Sequence, residues 1–216
     1  AAHAGASGMA PSAAGGAPTR RIDFATDGLA LDPREYAAQL QDAAASLAAD
    51  NYSRGGVIER LERGFAERLG KPAGIFVPTG TLANHLAVRR LAGNDRRVLV
   101  QAESHLYNDS GDGAQALSGL NLVPLAPGQA TLRLADVQPW VERSRGGRVR
   151  NDVGVISVEA PVRRRDHAMA DFARLEALSG YARGRGIRLH LDGARLFTLP
   201  LHSGRPLRAW TALFDT

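Results

Sequence analysis

The residues able to do chemistry stand at the ends of short apolar runs. Asp192, three positions before Arg195, closes the run Ile187-Arg188-Leu189-His190-Leu191, in which apolar and polar residues alternate as in a half-buried strand, and Gly193 supplies turn chemistry. Thr79-Gly80-Thr81 follows Gly74-Ile75-Phe76-Val77 and precedes a helical pattern. Its backbone N–H groups and two hydroxyls would meet a phosphate at a helix N-terminus. His105 comes shortly after Val98-Leu99-Val100 and would stack on or hydrogen-bond to an aromatic ligand, and Glu159 closes Val153 to Val158. Each has a purely structural alternative: Asp192 as a turn cap, Thr79 as a helix N-cap, His105 as a packed side chain, Glu159 as a partner of nearby arginines. No Gly-Lys-Ser/Thr follows the first glycine turn, and no second His lies at ligand spacing from His105. Neither a P-loop nor a metal site is therefore expected.

Those residues need elements that bring them to one place. Short apolar runs at Gly74–Val77, Val98–Val100, Asn121–Val123, Val153–Val158 and Ile187–Leu191 alternate with helical patterns near Leu82–Leu91, Ala114–Ser118, Leu134–Arg143 and Asp171–Arg183. That order predicts an α/β fold, a mainly parallel sheet with helices on both faces. In such a sheet ligands bind at the carboxyl ends of the strands, where all four candidate stretches fall. Before the sheet, Asp32-Pro33 with Glu35 forms a capping box for a helix running to about Ala49. A second helix carries Val57, Leu61, Phe65 and Leu69 on one face and stops at Gly70. Residues 1–20 are nearly all small or turn-forming and read as a flexible tail, 21–70 as an N-terminal helical arm, and 71–216 as a large, incomplete ligand-binding domain.

Composition narrows the function classes. The 216 residues are 44% hydrophobic, enough for a real core, and no apolar run reaches the length of a membrane span. The absence of Cys removes disulfide and thiolate chemistry. A net charge of +5 would suit an acidic partner, but the arginines are scattered. The tight cluster Arg163-Arg164-Arg165 reads as a solvated loop, so no nucleic-acid or membrane partner is expected. Arg20-Arg21 is not followed by the hydrophobic segment of an export signal, and a cytoplasmic location is expected, or a periplasmic one if a signal was removed upstream. Among the 27 basic residues Lys71 alone is a lysine, so any amine chemistry in this chain rests on it. It lies in the turn before the first sheet strand, which predicts a surface position at the opposite end of the sheet from the candidate site.

Taken together, a phosphate cradle after one strand, a His after the next and an Asp followed by an Arg after a later one describe a pocket for a phosphorylated, protonated heteroaromatic ring. Pyridoxal 5'-phosphate fits that description. The motifs Phe76-Val77-Pro78-Thr79-Gly80-Thr81-Leu82-Ala83-Asn84, Glu103-Ser104-His105, Leu117-Ser118-Gly119 and Leu189-His190-Leu191-Asp192-Gly193-Ala194-Arg195-Leu196 resemble, in order, those of the threonine aldolases of the β-eliminating lyase group. These are pyridoxal-phosphate enzymes of fold type I. The resemblance implies the large domain of that fold. It also implies that Gly80 and Thr81, with Thr79 beside them, bind the cofactor phosphate, that His105 stacks on the pyridine ring, that Asp192 pairs with the ring nitrogen, and that Arg195 contacts the cofactor or the substrate carboxylate. Glu159 joins the cofactor site at the same sheet edge, and Thr26 falls near the substrate carboxylate. The implied reaction cleaves a β-hydroxy amino acid to glycine and an aldehyde, in a protein that forms homo-oligomers at full length.

Two departures accompany the resemblance. Where the family has Glu-Asn-Thr-His-Asn, this chain has Glu159-Ala160-Pro161-Val162-Arg163, which keeps open another β-eliminating lyase or an aminotransferase. The family's cofactor-binding lysine lies beyond Thr216 in the pattern, as does its small C-terminal domain. Residues 1–216 alone are therefore expected to be an inactive fragment, with a non-catalytic protein retaining the fold as the alternative.

Overall fold

The computed structural model describes residues 31–216, so the expected tail, residues 21–30 and Thr26 lie outside the described residues. The described residues divide between two compact units, 31–49 in the first and 50–216 in the second. In the first, helix α1 (Pro33–Ala44) starts as its sequence dictates: Asp32 accepts from the N–H groups of Arg34 and Glu35, while Glu35 reaches back to the N–H of Asp32. It ends at Ala44, five residues earlier than its alanine content suggests, where the bonding tightens to Ser46 N donating to Ala43 O and Leu47 N to Ala44 O before the chain leaves the helix.

The second unit opens with α2 (Val57–Leu69), which stops at Gly70 in the left-handed region (φ 66°), where a side chain would be strained. Although composition assigns α2 to an arm, it belongs with the sheet-bearing unit. Thr211 Oγ1 donates to Leu69 O at 2.7 Å and the Arg208 guanidinium donates to Glu67 O. The chain then runs α3 (Gly80–Ala92), β1 (Arg97–Gln101), α4 (His105–Asn108), α5 (Gly113–Ser118), β2 (Asn121–Leu125), α6 (Leu134–Gly146), β3 (Val153–Glu159), α7 (Phe172–Gly184), β4 (Arg188–Asp192), α8 (Leu199–Ser203) and α9 (Leu207–Thr211).

The four strands are parallel, in the order β2-β1-β3-β4. The chain steps from β1 to one side for β2 and to the other for β3. That reversal leaves a crevice at the carboxyl ends of β1 and β3, the place where open α/β sheets take ligands. Alternate side chains feed two cores. Leu99, Val123, Ile156, Val158 and Leu189 join Val137, Leu175, Leu178 and Trp210 on one face. Val98, Val100, Leu122 and Val155 join Val88, Leu106 and Ala114 on the other.

One expected strand is missing. Gly74–Val77 is extended but exchanges no ladder hydrogen bonds, and Ile75 and Phe76 are 80% and 52% exposed. Its β-forming side chains are present but no strand lies alongside to receive its N–H and C=O groups, and Phe76 N donates to Glu62 Oε1 at 2.7 Å instead. The segment borders a groove of about 730 Å³ along the outer edge of β4, whose walls include Ile75, Val77, Leu86, Ala87 and Leu191. On that edge Asp215 N donates to Leu189 O and Leu191 N donates to Thr216 O, without forming a fifth strand.

Candidate active site

Asp192 ends β4 beside Glu159, its register partner at the end of β3. Asp192 is 7% exposed and the turn after it is tight, since a Cβ on Gly193 would come within 2.7 Å of Leu196 Cδ2. His190 and Asp192 occupy the face of β4 that α3 covers, so the polar half of the alternating pattern is buried rather than solvated. Asn84 of α3 donates through Nδ2 to Asp192 Oδ2 at 2.6 Å, and Ala194 N approaches Asp192 Oδ1 at 3.3 Å. Asn84 lies four residues after Gly80, about 6 Å along the helix axis. The N-terminus of α3 is thus one turn from the Asp192 carboxylate.

At that N-terminus Thr79 is the helix N-cap, its Oγ1 accepting from Leu82 N at 3.1 Å. The structural alternative for Thr79 therefore holds, which leaves the first-turn N–H groups of Gly80 and Thr81 as the donors a phosphate would use. Gly80 and Thr81 are exposed, and a Cβ on Gly80 would meet nothing within 4 Å, so the approach is open.

Glu159 is 2% exposed and works as a staple. Its Oε2 accepts from His105 N at 2.6 Å, its Oε1 from Arg163 N at 2.9 Å, and Arg195 Nη1 stands 3.8 Å from Oε1. Burial pushes its carboxyl above the ordinary range and the Asp192 charge adds to this, against those backbone donors and Arg195. Gln101 saturates the same edge: its Oε1 accepts from Glu159 N at 2.6 Å and its Nε2 donates to Glu159 O at 3.1 Å and Ala130 O at 2.7 Å. His105, half-buried, and Arg195 are thereby set on either side of Glu159, and Ser104 Oγ is buried there without a hydrogen-bond partner. Arg163 and Arg164 both clasp Asp109, whose carboxyl is held down to about 2, chiefly by the Arg164 hydrogen bond.

The structure brings Asp192, Glu159, His105, Arg195 and the start of α3 to one edge. Lys71 is not at the surface as expected. It is half-buried, and its Nζ donates to Thr211 O at 2.9 Å and Phe214 O at 2.5 Å, at the wall of the groove that Asp192 also lines. Sequence reasoning missed Asn84, His190 and Gln101 as parts of the site. An Asn on the buried side of α3 and a His between Leu189 and Leu191 were the available signals. Among the described residues no group of three or more His, Cys, Asp or Glu could hold a metal ion, and no helix is long and apolar enough to cross a membrane.

The profile of the β-eliminating lyase family matches residues 23–216. The chain belongs to that family. It is 31% identical over 199 residues to aldolase vrtJ of Penicillium aethiopicum, covering 90% of this chain and 49% of that one. It is 30% identical over 159 residues to the low-specificity L-threonine aldolase of Saccharomyces cerevisiae, covering 73% and 40%. A provisionally assigned L-allo-threonine aldolase from Listeria monocytogenes EGD-E superposes with a TM-score of 0.73 at 30% identity, covering 86% of this chain and 50% of that one. The chain spans about half the length of the curated relatives it matches. Its parallel sheet with two helical layers is that of the large domain of fold type I pyridoxal-phosphate enzymes.

Proposed function

We propose that the protein is a pyridoxal-phosphate-dependent carbon–carbon lyase of the threonine aldolase type, cleaving a β-hydroxy amino acid to glycine and an aldehyde. The observation that carries this is the buried Asp192 carboxylate one helical turn from the open N-terminus of α3. The residues fit the cofactor: open first-turn N–H groups suit a dianionic phosphate, and the carboxylate accepts from two neutral donors, so neither of those bonds cancels its charge. Bound there, pyridoxal phosphate would supply the electron sink for the carbanion left when a bond to the amino acid Cα breaks. Gly80 and Thr81 would bind the phosphate through the helix N-terminus. His105 would cover the ring. Asp192 would hold a proton on the ring nitrogen, which makes the ring a better acceptor. Arg195, fixed near Glu159, holds a carboxylate of substrate or cofactor, with Thr26 beside the substrate. Glu159 serves the site by setting where His105 and Arg195 stand.

The test is aldehyde release from L-threonine, L-allo-threonine and phenylserine by the protein at full length, in a coupled dehydrogenase assay. Aldehyde release, with a loss of at least a hundredfold in D192N, is expected. Transfer of the amino group to a 2-oxo acid without aldehyde would replace the reading with an aminotransferase, which the altered segment Ala160–Arg165 favours as second choice. Light scattering of the protein at full length tests the expected homo-oligomer.

A further inference from the structure

Asn84 and His190 are buried polar residues on the α3 face of β4, where two aliphatic side chains would pack without desolvation cost. Their hydrogen bonds form a chain whose direction is set at one end. The Asp192 carboxylate only accepts, so the Asn84 atom 2.6 Å from it is the amide Nδ2, a donor. That turns Asn84 Oδ1 toward His190 Nε2 at 3.1 Å, so Nε2 must carry a hydrogen. In the neutral ring Nδ1 is then bare and accepts from the Thr216 hydroxyl at 2.9 Å. Burial keeps the ring neutral, with its pKa lowered to about 4 against the opposing pull of Asp192.

We propose that Asn84, locked by His190 and Thr216, is the positioning residue for Asp192: it fixes Oδ2 and so aims Oδ1, whose bond to Ala194 N is long, at the ring nitrogen of the cofactor. A neutral amide suits this task better than Arg or Lys would, because it orients the carboxylate without neutralising the charge that the ring proton needs. The relay also ties the site to the outer edge of β4, since Thr216 supplies both its hydroxyl and a backbone carbonyl that accepts from Leu191 N. The inference rests on the pyridoxal-phosphate reading above.

Two measurements on the 216-residue chain test it, neither requiring turnover. Long-range ¹H–¹⁵N correlation spectra should show His190 as the Nε2–H tautomer, and an Nδ1–H tautomer would overturn the relay even if every variant misfolded. Pyridoxamine 5'-phosphate, which needs no lysine, serves as the binding probe at pH 8, read by calorimetry and by the ultraviolet absorbance that reports ring protonation. N84L should weaken binding at least tenfold, toward the D192N value, and shift the bound ring to its unprotonated spectrum. H190L should do the same in smaller degree, and H190Q, which keeps a donor toward Asn84, should recover most of the loss. Equal affinity and an unchanged spectrum in folded N84L overturn the positioning role and leave the cofactor reading standing. No binding by the parent chain overturns both.

Discussion

β3 and β4 lie side by side and run in the same direction, yet one is sealed and the other is open. All seven residues of β3 are buried, with a strand on each edge and helices on both faces. β4 has β3 on one edge, while its other edge meets no strand among the described residues, only hydrogen bonds from Asp215 and Thr216 and then the groove beneath Ile75 and Leu86. The same residue types therefore have different worth on the two sides. Ile156 on β3 is fully buried, whereas Ile75 beside β4 is 80% exposed. The site sits where the two regimes meet, with Glu159 pinned on the sealed strand and Asp192 on the open one.

The largest effect should come from the sealed side. Ile156→Ala is expected to cost about 4 kcal/mol in urea unfolding followed by tryptophan fluorescence, the range for a cavity in a packed core. A cost under about 1 kcal/mol would mean that β3 is not the rigid strand of the pair.

Next comes pH, acting through β4. The unfolded chain protonates His190 near the ordinary 6.5, and the folded chain resists until about 4. The unfolded state binds the extra proton between those values, so stability falls as pH drops through that window and levels off below it, by on the order of 3 kcal/mol. The raised Glu159 carboxyl acts with the opposite sign, gaining as pH falls, so the readout is the difference between the parent chain and H190Q. A difference that does not change between pH 7 and 4 would show that water reaches His190 from the groove.

Smaller effects complete the series. Thr79→Ala removes the cap on α3 and should cost about 1 kcal/mol. Ile75→Ala should change urea stability by less than about 0.5 kcal/mol, as for any exposed side chain. A loss as large as that of Ile156→Ala would show that the groove is closed in solution.

The same contrast explains what the sequence made legible. Val98–Val100, Asn121–Val123, Val153–Val158 and Ile187–Leu191 all read as strands because their apolar side chains meet the two helical layers those positions call for. Gly74–Val77 has the same composition and forms no ladder, since pairing depends on a neighbour that side-chain pattern does not report. In the site, Asp192, His105 and Arg195 could be picked out because their chemistry at strand ends is unusual. Asn84 and Gln101 could not, because their role lies in which atom of each amide faces which partner across α3–β4 and β1–β3. The alternation in β4 was read as apolar inside and polar outside. His190 and Asp192 are instead buried as a satisfied pair of polar groups with Asn84.

Lys71 gives the molecule a native reporter. It is the one side-chain amine of the 216 residues. Its half-buried ammonium gives up a proton more readily than an exposed lysine would. Its nitrogen is held by the carbonyls of Thr211 and Phe214, which restrain it toward an acylating reagent. The rate at which acyl groups appear on Lys71 in a mass spectrum therefore reports how firmly the junction that feeds the chain onto the edge of β4 is held, with no label to engineer and no other lysine among the 216 residues to confuse the reading.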